Sequence, residues 1–313
     1  MSRAFVEKSS RELEGITTDL AWRQWRAIGG SAVSKEPWRS IVDPEALILA
    51  SLFLVDREPR ISDILFSWVE SNAELLSVTR LKNLQKAYPS EIRDRVADFS
   101  RRTRSIARHP RWKTLSEEVD DEVFPDLPEV RRATRVPTGH AASLLLRLRM
   151  AIGVGVKADV LAVALGNREP ITVREIADSL SYSLVGIRSA VYDLSRAGFI
   201  VQMGRTPAAF AAPQGEWRAL LSLRSRPRWV TWHHWFAFVI DYITWCDKVR
   251  ESDLGDYAID VRVRELVARH DLFFRYSGHQ LGVTAFQNEV GSYPEVIDSL
   301  IVWAHRQERP AAV

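Results

Sequence analysis

The sequence predicts a mainly α-helical fold, with one small strand-bearing unit in the centre of the chain and helical domains on either side. Three observations carry that prediction. Apolar residues recur at helical spacing in both the N-terminal and the C-terminal parts. Alternating strand patterns are almost absent. The exception is the stretch from Thr172 to Pro213, "TVREIADSLSYSLVGIRSAVYDLSRAGFIVQMGRTPAAFAAP", where two apolar runs flank a polar tip after two helical patterns.

Taken in order, "TTDLAWRQWRAIGG" places Leu20, Trp22, Trp25 and Ile28 at helical spacing, with glycines at its end. In "DPEALILASLFLV", Asp43 is an N-cap and Pro44 stands at the first helical position. "ISDILFSWVESN" and "SVTRLKNLQKAYP" follow as short amphipathic helices. Further helices are expected around Val230 to Arg250, Asp260 to His270 and Pro294 to Gln307. "LILASLFLVDREPRISDILF" is echoed by "VLAVALGNREPITVREIA", an apolar helix, "REP" and another helix. A shared three-letter string is thin, and the two are taken as similar helix-loop-helix units arising by chance.

Charge divides the chain. Arg93 to Lys113 holds eight basic and two acidic residues, and Ser116 to Val130 holds seven acidic residues and no basic one. The acidic run, with two prolines, reads as a linker. Arg131 to Ala158 has six basic residues and no acid, and Arg218 to Arg228 is again free of acid. The expected division is therefore a helical domain over 1–130 ending in the acidic linker, a connecting helix over 131–155, the strand-bearing domain over 156–222, and a helical domain over 223–313. At 313 residues the chain exceeds what one compact core normally serves.

Composition is that of a folded soluble protein, with 46% hydrophobic and 27% charged residues and a net charge of +3. The single cysteine, Cys246, excludes an intrachain disulfide framework and a cysteine-based zinc site, and fits a reducing, cytoplasmic setting. "MSRAFVEKSSRELEG" lacks the apolar core of a signal peptide. The longest apolar run, Ala46 to Val55, is too short to span a bilayer, and the apolar Trp229 to Trp245 is interrupted by His233, His234 and Asp241. No membrane partner is expected.

Within the central unit, "KADVLAVALGN" is a helix ended at Gly166 or Asn167, and "PITV" is extended. Thr172 caps a helix with the apolar stripe Ile176, Ala177 and Leu180. "SYS" is a turn, and Ser183 caps a helix whose Leu184, Ile187, Val191 and Leu194 form one buried face. Val185, Arg188, Ser189, Tyr192 and Ser195 then point outward. Gly198 permits the left-handed turn that ends the helix. "FIVQM" and "AAFAA" are strands around the tip Gly204 to Pro207.

Ile176, Ala177, Leu180, Ser183, Ile187, Val191, Leu194, Gly198 and Phe199-Ile200 stand in the register "I-A-x-x-L-x-x-S-x-x-x-V-x-x-x-L-x-x-L-x-x-x-G-L-V". In this the segment resembles the winged helix-turn-helix domains of bacterial transcription regulators of the MarR and ArsR kind. The resemblance covers residues 156–222 only. It implies a recognition helix in the major groove of double-stranded DNA and a wing on the backbone or minor groove. Carried over by position, Ser183, Val185, Gly186, Arg188, Ser189 and Tyr192 face DNA, and Arg205 sits at the wing tip. The acid-free flank adds Arg224, Arg226 and Arg228 as phosphate contacts. Arg188 can donate two bonds to guanine, and Ser189 and Tyr192 reach bases or phosphates. Two features pull the other way: Leu184 and Val185 are apolar, and the unit itself carries seven basic against six acidic residues.

No enzyme is expected. His233 and His234, about 100° apart on a helix, make poor metal co-ligands, and "GVGV" at Gly153 lacks a dinucleotide fingerprint. "GGSAVSKE" from Gly29 is not followed by an acidic metal pair, and Asp120, Asp121 and Glu122 sit in the linker. No cofactor or metal is called for, and the eleven tryptophans are expected to build cores. The leading expectation is a sequence-specific DNA-binding transcriptional regulator of a prokaryote, a homodimer reading a palindrome. "AASLLLRLRM" or the Trp229 to Trp245 helix is expected at the two-fold interface. The alternative is a protein-binding antitoxin-type partner that neutralises a toxin and autoregulates through the same unit.

Overall fold

The computed structural model describes residues 1–30, 38, 40–107, 112, 115, 135–204, 207–223, 225–274 and 293–308. The acidic stretch, Arg205 and Arg224 lie outside the described residues. The architecture is mainly helical with one small antiparallel sheet.

The chain opens with α1 (Arg3–Ala27), capped by Ser2, whose side chain accepts from the Phe5 N–H at 3.3 Å. The helix begins earlier than "TTDLAWRQWRAIGG" indicates, because Val6, Ser9, Leu13 and Ile16 continue the same buried stripe. It ends before Gly29, at φ +91°, where an added Cβ would lie 2.3 Å from the Arg135 carbonyl oxygen. Next comes α2 (Pro44–Leu54), capped by Asp43 as expected, with every residue buried. Then follow α3 (Arg60–Asn72), α4 (Val78–Leu84, capped by Ser77) and α5 (Ser90–Ala107).

The central part runs α6 (Leu144–Ile152), α7 (Val156–Gly166), β1 (Ile171–Thr172), α8 (Val173–Leu180), α9 (Leu184–Arg196), β2 (Val201–Met203), β3 (Ala209–Ala211) and α10 (Gln214–Leu220). The sheet order is β1-β3-β2, with Ile171 opposite Phe210, and Val201 opposite Ala211. The last helices are α11 (Trp232–Arg250), α12 (Asp256–Arg269) and α13 (Tyr293–Glu308).

Two hydrophobic cores result, and they do not follow the chain. The first joins α1 through α5 with α11, α12 and α13, so the regions expected as separate helical domains over 1–130 and 223–313 share one core. The reason lies in α11. Trp235, Phe236, Phe238, Ile240 and Ile243 are buried on all sides of that helix, so one layer of neighbours cannot cover them. Helices α1 and α2 pack on it from the N-terminal part and α12 from the C-terminal part. Tryptophans fill this core: the Trp25 and Trp68 rings meet tilted with centroids 5.5 Å apart, and those of Trp235 and Trp303 with centroids 5.0 Å apart. The second core is built by α6 through α10 and the sheet.

The seam between the cores holds a buried ionic cluster. Arg80 of α4 donates through Nη1 to Asp43 and at 2.8 Å to Glu45, through Nη2 to Asp43 at 2.5 Å, and through Nε to the Leu180 carbonyl at 3.2 Å. Arg149 of α6 donates to Glu45 at 2.6 and 3.0 Å, to Asp159 at 2.8 and 3.0 Å, and to the Leu75 carbonyl at 2.9 Å. All five side chains have no solvent exposure. Burial by itself would lower both guanidiniums, but the surrounding carboxylates outweigh it and hold each above its ordinary value. The extra carboxylate is met by N–H donors at the start of α2, where Ala46 N–H reaches Asp43 at 3.2 Å.

This bears on the expected two-fold interface. Arg149, within "AASLLLRLRM", is the centre of the seam. The leucines of "AASLLLRLRM" are used inside the chain, with Leu144, Leu145 and Leu148 in the second core and Leu146 in the first. Helix α11 is likewise covered within the chain. Most of the apolar side chains expected at a two-fold interface are therefore already buried, and Met150 is the exposed one of that stretch.

Removing one member of the cluster leaves charges buried without partners. Arg149→Met is expected to lower stability by about 3–5 kcal/mol. Lys157→Ala, which loses an exposed ion pair to Asp193 (2.8 Å), should cost under about 1 kcal/mol. Urea unfolding of the two variants beside wild type checks this; equal losses would show that the cluster does not hold the cores together.

Candidate nucleic-acid interface

The candidate surface is set by local capping. Thr172 and Glu175 form a reciprocal capping box at the start of α8, with Glu175 N–H on Thr172 Oγ1 at 3.3 Å and Thr172 N–H on the Glu175 carboxylate at 2.8 Å. Ile176, Ala177 and Leu180 are buried, as their spacing requires. Ser181 then turns the chain in the left-handed region, at φ +56° and ψ +37°. Ser183 caps α9 by accepting from Gly186 N–H at 3.2 Å.

Helix α9 buries Ile187, Ala190, Val191 and Leu194 and exposes its other side. Ser183, Arg188 and Ser189 are exposed, Val185 is 74% and Tyr192 61% exposed, and Gly186 is half-buried. Six of the sequence-predicted residues thus share one helix. Arg188 has no hydrogen bond or ion pair among the described residues. Arg196, one turn beyond Tyr192, lies 5.6 Å from its ring centroid. Leu184, expected on the buried face, is half-buried against the second core. Gly198, at φ +74°, ends the helix.

The flanking arginines go elsewhere. Arg226 donates to the Asn167 carbonyl at 3.2 Å, at the end of α7, and Arg228 donates to Gln307 of α13. The Arg228 main chain is fixed too, its carbonyl accepting from Ile41 N–H at 2.8 Å. Burial, then the nearby Arg168, lowers the Arg228 guanidinium. Neither arginine is held by α9, and neither has a carboxylate partner among the described residues.

Strand β2 is an edge, with only β3 beside it. Phe199, Val201 and Met203 are exposed there. Among the described residues, eight of the eleven exposed large apolar side chains (Met150, Ile152, Val185, Tyr192, Phe199, Val201, Met203 and Leu220) belong to the second-core unit.

The turn before α9 is gripped by the helical body, and this the sequence did not disclose. His234 Nε2 donates to the Asp178 carbonyl at 3.0 Å, Asn83 Nδ2 to the Ser181 carbonyl at 3.2 Å, and Arg80 Nε to the Leu180 carbonyl. His233 Nε2 meets Ser181 Oγ at 3.1 Å. Tyr182 donates to Asp159 at 2.9 Å and stands 3.3 Å from Ser77 Oγ. The two imidazoles lie tilted against each other with centroids 3.9 Å apart. They are a packed pair, and among the described residues no group of three or more potential metal ligands occurs. One clue was available: charges set singly in apolar helices, such as Glu45 in "DPEALILASLFL".

A cleft of about 200 Å³ lies between β1, α8 and the start of α11, with Glu175, Trp229, Phe273 and Trp303 in its wall. No described helix is long and apolar enough to cross a membrane. No family model, no curated protein and no solved structure matches the chain.

Burial, then His234 and Arg80, keeps His233 well below the usual imidazole range. Burial lowers His234 to about 4, against a raising contribution from the Asp178 carbonyl and a lowering one from His270 and Arg80. The unfolded chain therefore takes up these protons first as pH falls below about 6.5. Their contribution to stability is complete at neutral pH. It is lost on acidification, at about 1.4 kcal/mol per pH unit for buried His233 and less for half-buried His234. His233→Gln should flatten the slope of stability between pH 6.5 and 5 in urea titrations. An unchanged slope would place the acid sensitivity elsewhere.

Proposed function

We propose that residues 156–222 form a winged helix-turn-helix unit that binds duplex DNA, with α9 as the helix entering the major groove, and that the chain is a sequence-specific transcriptional regulator. The observation that carries the reading is the solvent face of α9: Arg188 has no partner among the described residues and stands beside Ser189 and Tyr192, while the opposite face is used in the core. The element order α7-β1-α8-α9-β2-β3 and the edge hairpin agree with that reading.

Each residue then has a role its chemistry suits. Arg188 donates two bonds to a guanine edge. Val185 meets a thymine methyl. Ser189 and Tyr192 reach bases or phosphate oxygens, and the free N–H groups after Ser183 take a phosphate. Arg226 and Arg228 add backbone charge from the end of α7. Reading a palindrome would require a second copy, docked through residues other than the buried positions of α6 and α11.

A second reading rests on its own observation. Val185, Tyr192, Val201 and Met203 are exposed and apolar, which suits an antitoxin-type protein partner better than a phosphate backbone. One set of titrations separates the two. Against a duplex selected from a random pool, Arg188→Ala should cost about 1–3 kcal/mol and relax the preference at one base pair. Arg226→Ala with Arg228→Ala should weaken all duplexes alike, and affinity should fall by roughly 0.9 log unit per log unit of salt for each phosphate neutralised. Salt-insensitive binding, or full affinity in Arg188→Ala, would reject the DNA reading and favour the protein partner.

A further inference from the structure

The structure assigns to Asn83, His233 and His234 a positioning role: together they form a clamp by which the helical body sets the orientation of α9. The inference begins with the turn. Between α8 and α9 the polar groups of Asp178, Leu180, Ser181 and Tyr182 could have been met by water at the surface. Instead each is met by a side chain from outside the turn. Four of the partners, Arg80, Asn83, His233 and His234, lie on two helices of the first core, α4 and α11. Ser77, at the cap of α4, faces Tyr182 as well. The second core could hold α9 with Ile187, Val191 and Leu194 alone. The body therefore adds a constraint that the packing of the unit does not need.

Ser181 shows why the clamp governs geometry and not packing alone. Its left-handed backbone, φ +56°, is unusual for a residue with a Cβ. That conformation fixes the angle between α8 and α9. It is retained by two bonds from two different helices: Asn83 on the Ser181 carbonyl and His233 on its hydroxyl. A shift of α4 against α11 would alter both bonds and move the turn. Anything that binds the body and shifts those helices would thereby reach α9. The consequence for DNA rests on the reading proposed above; the clamp itself does not.

The test uses the full chain and the single variants Asn83→Ala and Ser181→Ala. Each removes one clamp bond, and Ser181→Ala keeps the Cβ and its backbone preference. Arg262→Ala, which loses an exposed ion pair to Glu265 within α12, is the control. Hydrogen exchange read by mass spectrometry should show roughly two- to tenfold faster exchange at 181–196 in each clamp variant, the range expected for one lost hydrogen bond. Protection in α2 and α11 should stay unchanged, and the control should match wild type. Unchanged exchange at 181–196, or a rise spread equally over α2 and α11, overturns the clamp. The same variants are titrated with the selected duplex and a scrambled one. Loss of affinity for the selected duplex alone is expected, since phosphate contacts tolerate a tilted helix and base contacts do not. Faster exchange in a protein that selects no duplex would keep the clamp and reject the DNA reading.

Discussion

Three carboxylates and two guanidiniums, sealed from water between two cores, are the constraint on which the rest of this fold depends. Charges are costly to bury, and the cost is met only when every donor and acceptor is placed. Here placement comes from four separate elements. Asp43 and Glu45 come from the start of α2, Arg80 from α4, Arg149 from α6 and Asp159 from the first turn of α7. A hydrophobic seam would tolerate sliding. An ionic one has a single register, because each guanidinium must meet its carboxylates and a main-chain carbonyl together. The cluster thus specifies how the two cores sit, whatever it adds to stability.

The same cluster gives physical content to the echo between the two halves. Helices α2 and α7 are both apolar on every side, and both are buried at the centre of their cores. Each carries an acid in its first turn, Glu45 in one and Asp159 in the other, and Arg149 binds both. Two central helices are therefore joined at their N-terminal ends, where the helix dipoles favour negative charge. "REP" follows each helix in sequence. The structural match lies in the buried helix and its acid, not in those three letters.

Local features were legible because their physics is local. Asp43, Thr172 and Ser183 cap helices within a few residues of themselves. The stripe of α9 follows from the helical repeat, and Gly198 from a backbone angle. The exposed face of α9 was read from the same repeat and stands where expected. What stayed hidden depends on residues far apart in the chain. Arg80 reaches Leu180 across 100 residues, and Arg149 reaches Glu45 across 104. No periodicity reports such a partner. The acid-free flank shows the same limit. Arg228 donates to Gln307, 79 residues away, and no run of charges announces that partner. Composition counts charges but does not say where they point.

The turn at Ser181 joins these levels. A left-handed residue with a Cβ costs about 1–2 kcal/mol, and a hydrogen bond within the fold contributes about 1 kcal/mol net. The two bonds from Asn83 and His233 therefore roughly offset the backbone, leaving the turn close to balance. Neither side dominates. The hydrophobic stripe of α9 keeps that helix in its core, with Ile187, Val191 and Leu194 buried whatever the turn does. The angle at which its free face meets the outside then depends on small differences within the seam. A helix held firmly by its apolar side, and aimed by a nearly balanced polar turn, is one whose packing survives a change in its direction. In this fold the ionic cluster fixes the register of the two cores, and the residues beside it settle where α9 points.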